Sequence, residues 1–224
     1  MKKILLVIGI FVVAILVGYA ILKSEMTEKN NQLDIINPTD IADKKMVDST
    51  LLRKGYGHTV ADFSFIDQFG DSVTQEVTKG KVYVVDYFFT TCGSICPIMS
   101  NQMTRVQKEF LNEPDFVILS HTVWPEEDTV EQLANYGKKY GAVKGKWYFL
   151  TGDKEQLYGQ ARKSYFLLKP AEAGNVGDGN SDFIHTNNFV LIDQHKRIRG
   201  YYDGTNTEEV NHLIKDIHTL LGDN

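Results

Sequence analysis

The chain has 224 residues, with 24 Lys and Arg against 29 Asp and Glu and a formal net charge of -5 at pH 7. That length suits one well-packed domain with an anchor and a linker, and is short for two ordinary domains. The acidic balance, with no long Lys/Arg cluster, argues against a nucleic-acid binder, which would present a basic stripe or patch.

Behind Lys2 and Lys3 an apolar run extends from Ile4 to Leu22, about the length that crosses roughly 30 Å of hydrocarbon. Positive charge ahead of the run keeps the amino terminus in the cytoplasm and exports the remainder of the chain. Residues 1–23 are therefore expected to be a single-pass transmembrane anchor in the cytoplasmic membrane, with the rest on its extracytoplasmic (periplasmic or outer) face. The competing reading is a signal peptide cut near Gly18-Tyr19-Ala20, but the run exceeds the usual apolar region of about 7 to 15 residues. Both readings export the domain.

Residues 24–56 are polar and charged, with Asn30-Asn31 and Pro38 and no sustained periodicity, which reads as a linker with at most a short helix near Ala42 to Leu52. The folded domain is expected over 57–224. Ala61 to Asp67 alternates and is followed by the turn residues Gln68-Phe69-Gly70-Asp71, predicting an amino-terminal hairpin. Lys81 to Phe89 is a β-branched and aromatic run, as in a central strand buried on both faces. Pro97 suits the first turn of a helix, along which Met99, Met103, Val106 and Phe110 repeat at helical spacing. A strand over Phe116 to Ser120 precedes a helix over Glu126 to Tyr140, acidic at its start and lysine-rich at its end. Trp147 to Leu150 reads as a strand, and Asp153 can cap a helix reaching about Tyr165. A Gly/Asn-rich insertion spans Pro170 to Asp182. Strands over Asn188 to Asp193 and Arg197 to Asp203 then lead to a helix over Thr207 to Leu221, with Val210, Leu213, Ile214, Ile217 and Leu220 on one face.

This order predicts an α/β domain whose mixed sheet is parallel in its first half and antiparallel at the end. It resembles the thioredoxin-like arrangement, flanked by helices, with an N-terminal hairpin extension and an insertion before the last hairpin. Ligands of such sheets sit beyond the carboxyl ends of the parallel strands, where the loop Thr90-Thr91-Cys92-Gly93-Ser94-Ile95-Cys96 falls.

Cys92 and Cys96 are the chain's two cysteines. A structural disulfide is the plainest reading for an exported chain, but so short a loop is the least rewarding to close. Redox or metal chemistry suits the spacing better. At a helix opening, free N–H groups and the dipole favour thiolate, and a four-residue step brings both sulfurs to one face. Two soft sulfurs select Cu(I), and an added imidazole extends the site to Cu(II). The candidates for that imidazole are His58, His121, His185, His195, His212 and His218. His212 and His218 lie off the apolar stripe of the last helix, and His195 sits in a turn at the far end of its hairpin. His121, just past the Phe116 strand, can approach the metal from its loop. His185 stands where this fold brings a loop across from the helix-opening cysteines. Dithiol oxidoreductases of this fold carry a cis proline there, whereas here the nearest proline is Pro170. Met99 and Met103 also offer sulfur, but their helical spacing reads as core packing. Tyr201, Tyr202, Arg197 and Arg199 read either as a partner surface or as ordinary strand residues.

Five ordered blocks now stand together: Ala61-Asp62-Phe63-Ser64-Phe65; Phe88-Phe89-Thr90-Thr91-Cys92 to Cys96-Pro97; Phe149-Leu150-Thr151-Gly152; His185 before Phe189-Val190-Leu191-Ile192-Asp193; and Arg199-Gly200-Tyr201-Tyr202-Asp203-Gly204. Over roughly Gly57 to Leu221 they resemble the Sco/SenC family of copper-binding assembly factors for cytochrome c oxidase. The resemblance implies one copper ion per domain, Cu(I) or Cu(II), held by Cys92, Cys96 and His185. It also implies an upstream copper donor and, as receiver, the copper-bearing subunit of the oxidase. The chain departs from the family at Val123-Trp124-Pro125, where a Val-Asp-Pro context is common; this bears on the partner more than on copper. Two other functions use the same residues. One is a thiol-disulfide reductase for the oxidase cysteines, with Cys92 attacking and Cys96 resolving. The other is a copper or redox sensor acting through the Trp124 loop or the insertion.

Overall fold

The computed structural model describes residues 15–19, 33–44, 47–167 and 186–222. The chain divides into two compact units, Met1–Leu33 and Asp34–Asn224. In the first, residues 15–19 are helical. No helix among the described residues is long and apolar enough to cross a membrane, and the Ile4 to Leu22 run lies outside them except at 15–19.

The second unit is built on two parallel strands, β3 (Val82–Phe88) and β4 (Phe116–Thr122), in which every residue is buried. They pair in register from Val82 with Phe116 to Phe88 with Thr122. β5 (Trp147–Leu150) extends the parallel part, starting at Ile118 with Trp147. On the other side, β6 (Asn188–Ile192) runs antiparallel to β3 and β7 (Ile198–Asp203) antiparallel to β6. The sheet order is therefore β5-β4-β3-β6-β7, the mixed thioredoxin-like sheet expected. β1 (Ser64–Ile66) and β2 (Ser72–Thr74) form the separate amino-terminal hairpin.

The apolarity of β3, interrupted by Asp86, follows from cover on both faces. Residues alternate between faces along a strand. One face carries Asp86 and Phe88, with the Phe88 ring 5.0 Å from that of Tyr136 on the helix Val130–Lys139. The other carries Tyr83, Val85 and Tyr87, which join Phe63 and Phe65 of the hairpin region, Leu157 and Tyr165 in one apolar cluster.

Several element bounds differ from the sequence reading for local reasons. Part of the segment read as linker is packed: the Ile36 N–H donates to the Ile198 carbonyl at 2.8 Å, and Val47 is buried in the core. The short helix there, α1 (Ser49–Lys54), begins later than Ala42 because the Asp48 carboxylate caps it, accepting from the Thr50 N–H at 2.8 Å. Its C-cap is Gly55, whose φ of 73° suits glycine. α3 (Val130–Lys139) starts four residues after Glu126, with Thr129 as its N-cap. Asp153 caps α4 (Lys154–Gly159), which widens into a π turn over Gln160–Ser164 before Tyr165. The last helix is α5 (Thr207–Gly222). The insertion Pro170 to Asp182 lies outside the described residues.

His121 is not in a loop but within β4, paired with Tyr87 of β3. Strand alternation turns it away from the face that carries Asp86 and toward the hairpin. Its ring stacks on Tyr87 at 5.0 Å and meets the edges of Phe63 and Phe65. Burial pushes the imidazole down to about 3, against a weaker upward pull from the Leu119 and Asp86 backbone. The unfolded chain, with an ordinary histidine near 6.5, takes up the proton first. The His121 contribution to stability is therefore full above about pH 6.5 and is lost as pH falls toward 3, by about 2 kcal/mol at pH 5. We expect His121→Phe to lose less stability than the parent between pH 7 and pH 5 in urea unfolding; parallel profiles would refute this assignment.

Candidate metal centre

β3 ends at Phe88, and the chain turns at once: the Cys92 N–H donates to the Phe89 carbonyl at 3.2 Å. α2 (Ile95–Glu109) then opens between the two cysteines, with Pro97 inside its first turn, where an N–H has no intrahelical acceptor. One of the first-turn donors is used by sulfur, since the Cys96 N–H points at Cys92 Sγ at 3.4 Å. The Ser94 hydroxyl lies 3.7 Å from the same sulfur. Both cysteines are free thiols and buried, 7% and 4% exposed.

The surroundings split the two thiols. Burial raises the Cys92 thiol, but hydrogen bonds from the Cys96 thiol, the Ser94 and Cys96 backbone and the Ser94 hydroxyl outweigh it, so its pKa falls below the ordinary value. Burial pushes Cys96 up to about 12, helped by its bond to Cys92 and the charges of Cys92 and Asp86. Cys92 is thus the more acidic thiol of the pair, the better suited to act as nucleophile or metal ligand, and Cys96 holds its proton more tightly.

Two acids that the sequence reading passed over shape this centre. Asp86 is buried in β3 on the face of the sheet that carries Ser120, and accepts a hydrogen bond from the Ser120 hydroxyl at 2.5 Å. Ser120 Oγ in turn accepts from the Trp147 indole N–H at 2.8 Å. A lone acid in an apolar strand was the signal that could have found it. Asp128 is 1% exposed and accepts from Thr90, two residues before Cys92, and from Thr122 at the end of β4. Nothing in the local sequence separates it from Glu126 and Glu127.

The remaining candidates fall apart from the cysteines. His58 is half-buried with Nε2 2.9 Å from the Ser164 carbonyl and its ring on Phe166. The His195 N–H closes a turn onto Asp193. His212 is exposed, and His218 meets Glu109 and the Phe110 ring. Met99 and Met103 are buried in the core, as their spacing predicted. Tyr201 and Tyr202 donate to the Tyr165 carbonyl and to Asp216, and Arg197 and Arg199 both engage Asp193, so all four have structural partners, Arg197 from the turn just before β7. Trp124 is 37% exposed, its ring edge-on to Phe89 at 6.2 Å, beside the strand end that leads to Cys92. His185 lies outside the described residues. Among the described residues no group of three or more His, Cys, Asp or Glu is placed to hold a metal.

A dithiol at the opening of the helix after the central parallel strand defines the class: a thioredoxin-like domain with one acidified and one protonated cysteine. The profile of the SCO1/SenC family matches residues 53–222, and the chain belongs to that family. It is 33% identical over 162 residues to the SCO1 protein homolog of Bacillus subtilis (strain 168), covering 71% of this chain and 81% of that protein. It is similar in structure to BsSco, described as a Sco family cytochrome c oxidase assembly protein with a disulfide switch, at 31% identity and TM-score 0.60 over 73% of this chain and 93% of that one. It is also similar to Arabidopsis thaliana ScoI with copper bound, at 26% identity and TM-score 0.55 over 71% and 98%.

Burial raises Asp86 to about 7, partly offset by the Ser120 bond. The unfolded carboxyl ionises near 4, so rising pH strips a proton from the unfolded chain first, and the Asp86 contribution to stability is lost from about pH 4 upward through pH 7. The advantage of Asp86→Asn over the parent should therefore grow by about 3 kcal/mol from pH 5 to pH 8. Urea midpoints across that range measure it; a constant difference would show that Asp86 is ionised throughout.

Proposed function

We propose that the chain is a copper chaperone that binds one copper ion through Cys92, Cys96 and His185 and supports assembly of the copper centre of cytochrome c oxidase. The observation that carries this reading is the helix-opening dithiol of a SCO1/SenC family member. The donor set fits the cargo: two soft sulfurs, one already biased to thiolate, suit Cu(I), and an imidazole would extend the site to Cu(II). Strand register supports His185 as that imidazole. β6 pairs antiparallel with β3, Val85 opposite Val190, so its amino-terminal end lies at the carboxyl end of β3, where the cysteine loop begins. Thr186, the next residue after His185, is buried and holds the Asn188 N–H at 3.2 Å. The copper bound in the Arabidopsis relative and the oxidase-assembly description of BsSco point the same way.

The location follows from Lys2, Lys3 and the Ile4 to Leu22 run: a single-pass anchor in the cytoplasmic membrane with the domain on the extracytoplasmic face, where a copper donor would load it and the oxidase subunit would receive from it. The reduced full-length protein should take up one equivalent of copper, and the Cu(II) form should show sulfur-to-copper charge transfer with nitrogen coupling in electron spin resonance. Cys92→Ala, Cys96→Ala or His185→Ala should each weaken binding at least about tenfold. Undiminished affinity in the His185 variant would remove the three-ligand reading.

One observation favours a second reading, the opposite displacement of the two thiols. Cys92 thiolate would attack a disulfide of the oxidase subunit and release one of its thiols. Cys96 would then displace the other, leaving a Cys92–Cys96 disulfide and a reduced partner, two electrons having moved. The reduced protein should then cleave an oxidase-peptide disulfide faster than a free thiol at equal concentration, and Cys96→Ala should trap the mixed disulfide. A rate equal to that of free thiol would leave metal transfer alone.

A further inference from the structure

We infer that Asp128 is the positioning residue of the cysteine loop, resting on the copper reading above for its purpose but not for its geometry. Its carboxylate is buried in a junction of three chain segments. Oδ1 accepts from the Thr90 N–H at 3.1 Å and from the Thr90 hydroxyl at 2.5 Å, and Oδ2 accepts the Thr90 N–H again at 3.3 Å. The Thr122 hydroxyl, at the last residue of β4, also donates to Oδ2. Thr122 Oγ1 accepts from the Trp124 N–H at 2.9 Å, and the Trp124 carbonyl accepts from the Asp128 N–H at 2.9 Å. One side chain therefore ties the segment leading into Cys92, the end of the strand beside it, and the turn that presents Trp124.

Removing that tie has a directed consequence. Thr90 is past the last ladder pair of β3, which is Phe88 with Thr122, so no sheet bond holds the Thr90 N–H. Without Asp128 it is a half-buried donor that loses its acceptor, and the loop gains freedom two residues before Cys92. A metal must then order that loop at its own expense, and binding weakens, as for other groups that hold ligands from behind. His121 and Asp86 pair one and two positions before the last register pair of β3 and β4 and have other partners, Tyr87 and Ser120. The same tie holds the Trp124 backbone, through its N–H and carbonyl, to the segment that leads into Cys92.

The test uses the full-length reduced protein and the variants Asp128→Ala, Asp128→Asn, Thr90→Val and Thr122→Val. Asparagine keeps one acceptor oxygen and should rescue part of the alanine loss; Thr90→Val and Thr122→Val each cut one arm and keep the experiment informative if the alanine variant fails to fold. Hydrogen exchange over 88–96 should accelerate at least about tenfold in every variant, while exchange over 188–203 stays at the parent's rate. Copper affinity by chelator competition should fall about tenfold in Asp128→Ala, less in the others, with a broadened charge-transfer band. Parent-like exchange over 88–96 overturns the inference whatever copper does. So does unchanged affinity in variants of a parent that binds copper. A parent that binds no copper removes the function proposed above, and localised exchange alone then decides for or against Asp128.

Discussion

The pairing of β3 with β4 is the constraint on which the rest of the molecule depends. Seven consecutive parallel register pairs, buried on both faces, end together at Phe88 and Thr122. Parallel strands need a crossover, and here it is the helix that opens at the cysteines. The dithiol is therefore delivered to the carboxyl edge of the sheet by the same hydrophobic burial that stabilises the core.

From that placement the chemistry follows. A loop that turns immediately after a buried strand puts Cys92 at the mouth of a helix, where the Cys96 N–H and the Ser94 groups reach its sulfur. Cys96, one helical turn on, is buried, and burial with its bond to Cys92 keeps its proton in place. Two thiols of the same intrinsic acidity become unlike through four residues of chain, which suits stepwise ligand exchange as well as stepwise disulfide exchange. The apolar face opposite, with His121 among Tyr87, Phe63 and Phe65, takes no part in this chemistry and serves the fold.

Membership of the SCO1/SenC family places the domain among relatives described by copper and oxidase assembly, and the departure at Trp124 gains a physical meaning in that setting. An indole half in solvent, edge-on to Phe89, is a flat apolar contact where an acid would offer charge. The cysteine loop beside it is unaltered.

Much of this was legible in residue order. The run Val82–Phe88 announces a strand covered on both sides, Pro97 and the Met99 to Phe110 spacing announce the helix, and two cysteines four apart announce soft-metal or redox chemistry; each is a local pattern whose period or composition has one cheap structural solution. The start of α3 was not legible, because Asp128 looks like a first-turn acid and is instead drawn inward by Thr90 and Thr122, partners 38 and 6 residues away. His121 reads as a loop residue in sequence because β4 runs two residues further than its apolar core suggests, sustained by ladder bonds to β3. Asp86 stood in plain sight, but whether a lone acid in a strand is a charge or a neutral donor depends on what covers it. Local sequence thus settled which elements form and which atoms can react; tertiary structure alone decided which thiol keeps its proton and what holds the loop, since burial and long-range hydrogen bonds exist only once the strands are paired.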